Sequence, residues 1–160
     1  MSWAEFVAMA PELAPRVLAP FEVERHAILA TVRADGSPRV SGVEPKVFDD
    51  QLWLGFMPNS FKARDLLRDP RFALHCSSSL ARMQEWGDAK ISGTAEFVTD
   101  SAVRARYARW LVEHIDFDPG EEFDLFRADI TEATLITTGD AELVIETWRA
   151  GEGVTRRTRT

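Results

Sequence analysis

The stretch 52–79, LWLGFMPNSFKARDLLRDPRFALHCSSS, leaves this chain few ways to fold. Residues 52–57 form a short, nearly unbroken apolar run with aromatics, the signature of a strand buried on both faces. Pro58-Asn59 ends it. Ser60 follows as an N-cap whose oxygen can accept from an early helical N–H. Ala63, Leu66 and Leu67 then share one helical face, and Asp69-Pro70 closes the helix because a residue before proline avoids the α region. Residues 72–76 return as a second strand.

A helix start presents free N–H groups and the positive end of its dipole, so it can receive a phosphate. Ser60 adds a hydroxyl, Lys62 an ammonium in the first turn, and Arg64 a guanidinium just beyond it. The same residues equally describe an ordinary capped helix with a solvated basic face. Ser-x-Lys alone does not separate the two.

The rest of the chain reads mostly as hairpins. Residues 1–20 are a helical entry, broken by Pro11 and Pro15. Residues 27–33 form a strand that turns at Asp35-Gly36, a strong hairpin signal. The strand 39–48 carries Val40, Ser41, Gly42 and Val43, and a glycine inside a strand marks either a bulge or a close approach by something else. Asp49-Asp50 makes the next turn. After Ser77 to Ser79 comes a looser segment with Met83 and Trp86. Residues 90–97 alternate, with Ile91, Gly93, Ala95 and Phe97 on one face, as in a half-buried antiparallel strand.

Residues 101–115 are the best helix, with Val103, Tyr107, Trp110, Leu111 and His114 at helical spacing; His114 reads as a core or edge histidine. The acidic loop 116–122 is long enough to border a pocket and is equally a solvated turn. Strands at 133–138 and 142–148, joined at Gly139-Asp140, precede a basic tail, 150–160. Trp148 shares a strand face with Val144 and Glu146, which places it at a rim or interface rather than in the core. The whole, 1–160, is expected to be one mainly β (α+β) domain, an antiparallel barrel of six or seven strands with short capping helices.

Composition narrows the function. With 45% apolar and 28% charged residues the chain is globular. A net charge of -7 argues against general nucleic-acid binding, which needs a basic surface. No apolar run approaches the roughly 20 residues of a membrane span. With no secretion signal and Cys76 as the lone cysteine, a cytoplasmic location is expected. Walker, dinucleotide and HExxH motifs are absent, and His26, His75 and His114 lack metal-ligand spacing. No Gly-x-Ser-x-Gly elbow frames the serines at 77–79. A side-chain nucleophile has no support, which suits a cofactor enzyme.

The central stretch resembles the FMN-binding split-barrel family, the pyridoxamine 5'-phosphate oxidase-like proteins, in which a Ser/Arg-x-Lys segment before a short helix grips the flavin phosphate. HAILATVRADGSPRVSGVEP, DAKISGTAEFV and LVIETWRAGEGVTRR fit the same family in order, so the likeness covers residues 22–157. It implies a split barrel and a homodimer with FMN, or 8-hydroxy-5-deazaflavin, in a groove between subunits. Carried over by position, Ser60 and Lys62, with Arg64 nearby, would take the phosphate. Residues Val40, Ser41, Gly42 and Val43 would touch the ring, and Trp148 would approach the cofactor near the interface. Two departures stand out. Phe61 replaces the phosphate-binding arginine before the lysine, and Val154-Thr155-Arg156-Arg157 replaces an Arg-x-His substrate signature, so pyridoxamine phosphate is not the expected substrate.

Three functions follow as expectations. The first is a flavin- or deazaflavin-dependent oxidoreductase acting on an undetermined small molecule. The second is a non-catalytic carrier of flavin, or of haem with His75 or His26 as axial ligand. The third is a barrel without cofactor that serves a structural role.

Overall fold

A sheet of nine antiparallel strands coils around one core in the computed structural model, which describes every residue except Ser78, Asp140 and Ala141. Two helices lead in, α1 (Trp3–Met9) and α2 (Ala14–Glu24). Ser2 and Glu5 close a capping box at the start of α1, and Pro15 sits in the first turn of α2, where its missing N–H costs nothing. Strands β1 (Ala27–Val32), β2 (Pro38–Val43), β3 (Lys46–Phe48) and β4 (Gln51–Phe56) precede α3 (Phe61–Arg68). Then come β5 (Arg71–Cys76), α4 (Leu80–Trp86), β6 (Asp88–Phe97), α5 (Ser101–Ile115), β7 (Asp124–Thr138), β8 (Leu143–Arg149) and β9 (Gly153–Arg159).

The spatial order is β2-β1-β5-β6-β7-β4-β3, with β8 and β9 branching from β7. The β2 end curls back beside β4, which leaves a barrel with a split. Inward residues such as Leu29, Leu54, Leu74, Ile91 and Ile130 fill it, and Phe6, Leu13, Val17 and Phe21 of the leading helices pack into the same core. A second cluster, Trp53, Tyr107, Leu111, Phe123 and Leu125, fastens α5 to the outside of β4.

The mainly β barrel with capping helices is as expected, but it has nine strands rather than six or seven, and three strand boundaries differ. Residues 39–48 are two strands, since the chain bends after Val43. The strand expected at 133–138 begins at Asp124, and the tail expected at 150–160 is largely β9, paired along β8. The "looser" segment holds α4, capped by Ser79, whose hydroxyl accepts from Arg82 N–H. Of the turn expected at Gly139-Asp140, Asp140 lies outside the described residues; Gly139 N–H donates to Glu142 O at 2.7 Å.

The bulge falls elsewhere than expected. β2 pairs with β1 in unbroken register through Gly42, whereas the β6–β7 register slips between Ser92 and Gly93. There the backbones approach so closely that a Cβ on Gly93 would lie 2.0 Å from Asp129 O. The small residue makes room for a backbone, not for a neighbouring side chain.

Trp148 requires a correction. It is 1% exposed and lies against Phe6 at 4.7 Å between ring centroids. Glu146, which argued for an open strand face, is half-buried because Arg16 of α2 reaches it at 2.6 Å. Phe6 of α1 and Arg16 of α2 both reach this face, so a charged residue shares it with a core tryptophan. Trp53 and Phe56 are buried, as the apolar run at 52–57 implied.

Candidate functional site

Helix α3 forms as its sequence dictates. Ser60 is extended at the N-cap and its hydroxyl accepts from Ala63 N–H at 3.3 Å, which leaves its own O–H to donate. Asp69 ends the helix in an extended conformation ahead of Pro70. The inward face differs from the apolar pattern: Ala63 and Leu66 are buried with Asp65, while Leu67 points to solvent.

Asp65 is 3% exposed and accepts three side-chain hydrogen bonds, from Thr31 Oγ1 at 2.9 Å, Arg39 Nε at 2.6 Å and an Arg68 guanidinium nitrogen at 3.1 Å. Burial alone would raise its pKa, but the hydrogen bonds from Arg39, Thr31 and Arg68 hold it below the usual aspartate value. This knot ties α3 to β1 and β2. It also fixes Arg39 over the ring of Phe61, at 5.0 Å, with the Arg64 guanidinium at 5.5 Å from the same ring. Two guanidinium groups therefore flank the phenylalanine that stands where the resemblance calls for arginine.

Lys62 reaches the other way. Its Nζ donates to Gly42 O at 2.5 Å and lies 5.0 Å from the Phe56 ring centroid. Desolvation lowers its pKa, and no carboxylate among the described residues pairs with it. A half-buried cation with a carbonyl and a ring for company can still take an anion.

This lysine stands in the wall of a groove of about 810 Å³ at the split of the barrel. Gly42 and Val43 of β2 form one side, Gly55 and Phe56 of β4 the other, and Tyr107 and Leu111 of α5 lie beyond. A Cβ on Gly42 would meet nothing within 4 Å, so this strand turns bare backbone toward open space. Gly55 does the opposite: a Cβ there would lie 3.2 Å from the Tyr107 hydroxyl. The acidic loop does border the pocket, through Asp116, Phe117, Pro119 and Glu122.

Of the residues picked from sequence, Gly42, Val43 and Lys62 thus meet at the groove. Ser60 caps the helix behind Lys62, and Val40, Ser41 and Arg64 lie outside the groove lining, with Val40 and Arg64 exposed. Trp148 is remote from it, in the core. His26 lines the groove beside Glu44, 3.4 Å away, and His75 does not.

Two groups escaped the sequence reading. Tyr107 scored as one more apolar helix position, yet its buried phenol lines the groove with its pKa pushed well up, first by burial and then by Glu44. Asp65 offered no signal, because an aspartate among helical polar residues looks solvated.

The fold is the split barrel of the pyridoxamine 5'-phosphate oxidase class, seen in solved structures of low identity. A pyridoxamine 5'-phosphate oxidase-related, FMN-binding protein from Nostoc punctiforme is 16% identical with a TM-score of 0.66, over 94% of this chain and 97% of that one. PhzG from Burkholderia lata, solved with tetrahydrophenazine-1-carboxylic acid, is 18% identical with a TM-score of 0.62, over 92% and 90%. HutZ, the haem storage protein of Vibrio cholerae, is 21% identical with a TM-score of 0.55, over 76% and 89%.

The chain belongs to the pyridoxamine 5'-phosphate oxidase family, whose model matches residues 13–137. No curated protein sequence matches it. None of the described helices is long and apolar enough to cross a membrane.

Proposed function

We propose that this protein binds FMN in the groove at the split and is an FMN-dependent oxidoreductase acting on a small molecule. The observation that carries the reading is Lys62, a half-buried ammonium in the groove wall with no described carboxylate partner, beside the bare backbone of Gly42. Lys62 and the Ser60 hydroxyl would hold the phosphate at the start of α3, with Arg64 and Arg39 adding positive charge around Phe61. The β2 backbone at Gly42 would accept the flat ring at close range, and the Tyr107 phenol, held neutral, would donate a hydrogen bond into the groove. Bound flavin supplies hydride or electron transfer; the protein supplies position, charge and exclusion of water.

Lys62→Ala should weaken FMN binding about tenfold or more, since a charged hydrogen bond contributes roughly 1.5–3 kcal/mol. Titration followed by flavin fluorescence reads this. Unchanged affinity in a folded variant would place the phosphate elsewhere. A scan of the purified protein adds the alternatives: flavin bands support the proposal, deazaflavin bands redirect it, and a Soret band would favour haem with His26, which lines the groove.

The proposal includes a homodimer. Val40, Met57 and Phe61 are exposed apolar side chains on or next to the elements that frame the split, and a second copy would cover them. Light scattering at micromolar concentration should give twice the chain mass. A monomer mass would overturn this part.

A further inference from the structure

We propose that His75, Cys76 and Asp88 form a binding site for a thiophilic divalent cation of the zinc class. The site is independent of the flavin reading, since none of the three residues lines the groove. His75 and Cys76 end β5 and Asp88 opens β6, so pairing of these two strands brings together residues that sequence spacing leaves apart.

One oxygen organises the cluster. Asp88 Oδ1 lies 3.2 Å from His75 Nε2 and 3.7 Å from Cys76 Sγ, and the three ligand atoms all lie within 4.8 Å of one another. Zinc bonded tetrahedrally at about 2.0–2.3 Å sets its ligand atoms roughly 3.3–3.7 Å apart. Two of the three edges already have about that length.

The surrounding hydrogen bonds prepare the ligands. His75 Nδ1 lies 2.7 Å from Cys76 O, and a carbonyl can only accept, so Nδ1 carries a proton. The other ring nitrogen, Nε2, faces the Asp88 carboxylate oxygen Oδ1. A positive charge, a proton or a cation, belongs between this nitrogen and the oxygen, and a cation placed there also reaches Cys76 Sγ. Ala89 N–H donates to Cys76 Sγ at 3.2 Å, as an outer hydrogen bond to a thiolate ligand does. Lys90 Nζ lies 3.8 Å from Asp88 Oδ2, on the oxygen that the site does not use.

Nitrogen, sulfur and one carboxylate oxygen together select zinc or its neighbours over calcium or magnesium, which prefer oxygen alone. The His75 side chain is 44% exposed, so an ion can enter from solvent, and three protein ligands leave a fourth position open.

Cobalt titration of the purified, chelator-dialysed protein tests the site, read as a difference spectrum against any bound chromophore. The expected result is saturation at one equivalent, a thiolate-to-cobalt charge-transfer band in the near ultraviolet, and displacement by zinc. The band should vanish in Cys76→Ser. His75→Ala and Asp88→Asn should each weaken zinc, measured against a competing chelator, by more than the roughly 10–100-fold lost with an outer-shell partner. If Cys76→Ser does not fold, His75→Ala at a half-exposed position carries the test alone. Absence of saturable binding, binding without the band, or zinc affinity unchanged in His75→Ala would each overturn the proposal; a proton shared by His75 and Asp88 would then supply the charge.

Discussion

Trp148→Ala should cost the fold about 3–5 kcal/mol, the range for truncating a buried large aromatic. The indole is 1% exposed, packs on Phe6, and through it on Trp3, whose ring meets Phe6 edge-on at 5.4 Å. Removing it leaves a cavity between β8 and the leading helices that a rigid sheet cannot close. At about 2–4 °C per kcal/mol for a domain of this size, the melting temperature should fall by roughly 6–20 °C. Thermal unfolding by circular dichroism measures this, and FMN affinity of the folded fraction should not change. A small loss of stability with altered flavin quenching would return Trp148 to the cofactor's edge, where the sequence had put it.

The second large effect is expected at Asp65. Asp65→Ala removes the acceptor of three hydrogen bonds and strands the Thr31 hydroxyl, which is itself buried. A fully buried ion pair broken on one side costs about 3–5 kcal/mol. The Arg39 and Arg68 side chains keep 21% and 42% exposure, so their orphaned charges reach water, and about 2–3 kcal/mol is the better expectation.

The acid limb gives an independent sign. A carboxyl whose folded pKa is depressed contributes stability above its unfolded pKa and loses it as pH falls through the folded one. Wild type should therefore lose stability below the usual aspartate range faster than Asp65→Ala does. Urea midpoints at neutral and acid pH separate the two, and a pH-independent difference would show that folding leaves the Asp65 pKa where the unfolded chain has it, which overturns the prediction.

Much of this architecture was legible because periodicity reports burial. The alternation in β6, the cap at Ser60 and the stop at Asp69-Pro70 are local, and each appears where the sequence placed it. What escaped depends on partners distant in the chain. Asp65 lies on the inward face because Arg39, 26 residues earlier, arrives there on another strand. Trp148 is core because Arg16 answers Glu146. Lys62 could be picked from its helix position, but its neighbour Gly42 and the groove behind it exist only once the barrel curls. Tyr107 and the His75–Cys76–Asp88 cluster were invisible for the same reason.

The outermost strand carries one more implication. β9 is paired on one side only and is exposed at nearly every position, with Arg156, Arg157 and Arg159 along its length. An unpaired strand edge invites pairing with another chain. Two copies meeting along β9 would bring these guanidinium groups together in a narrow seam and pay in repulsion. Arginines along a free edge therefore disfavour backbone pairing between copies along β9.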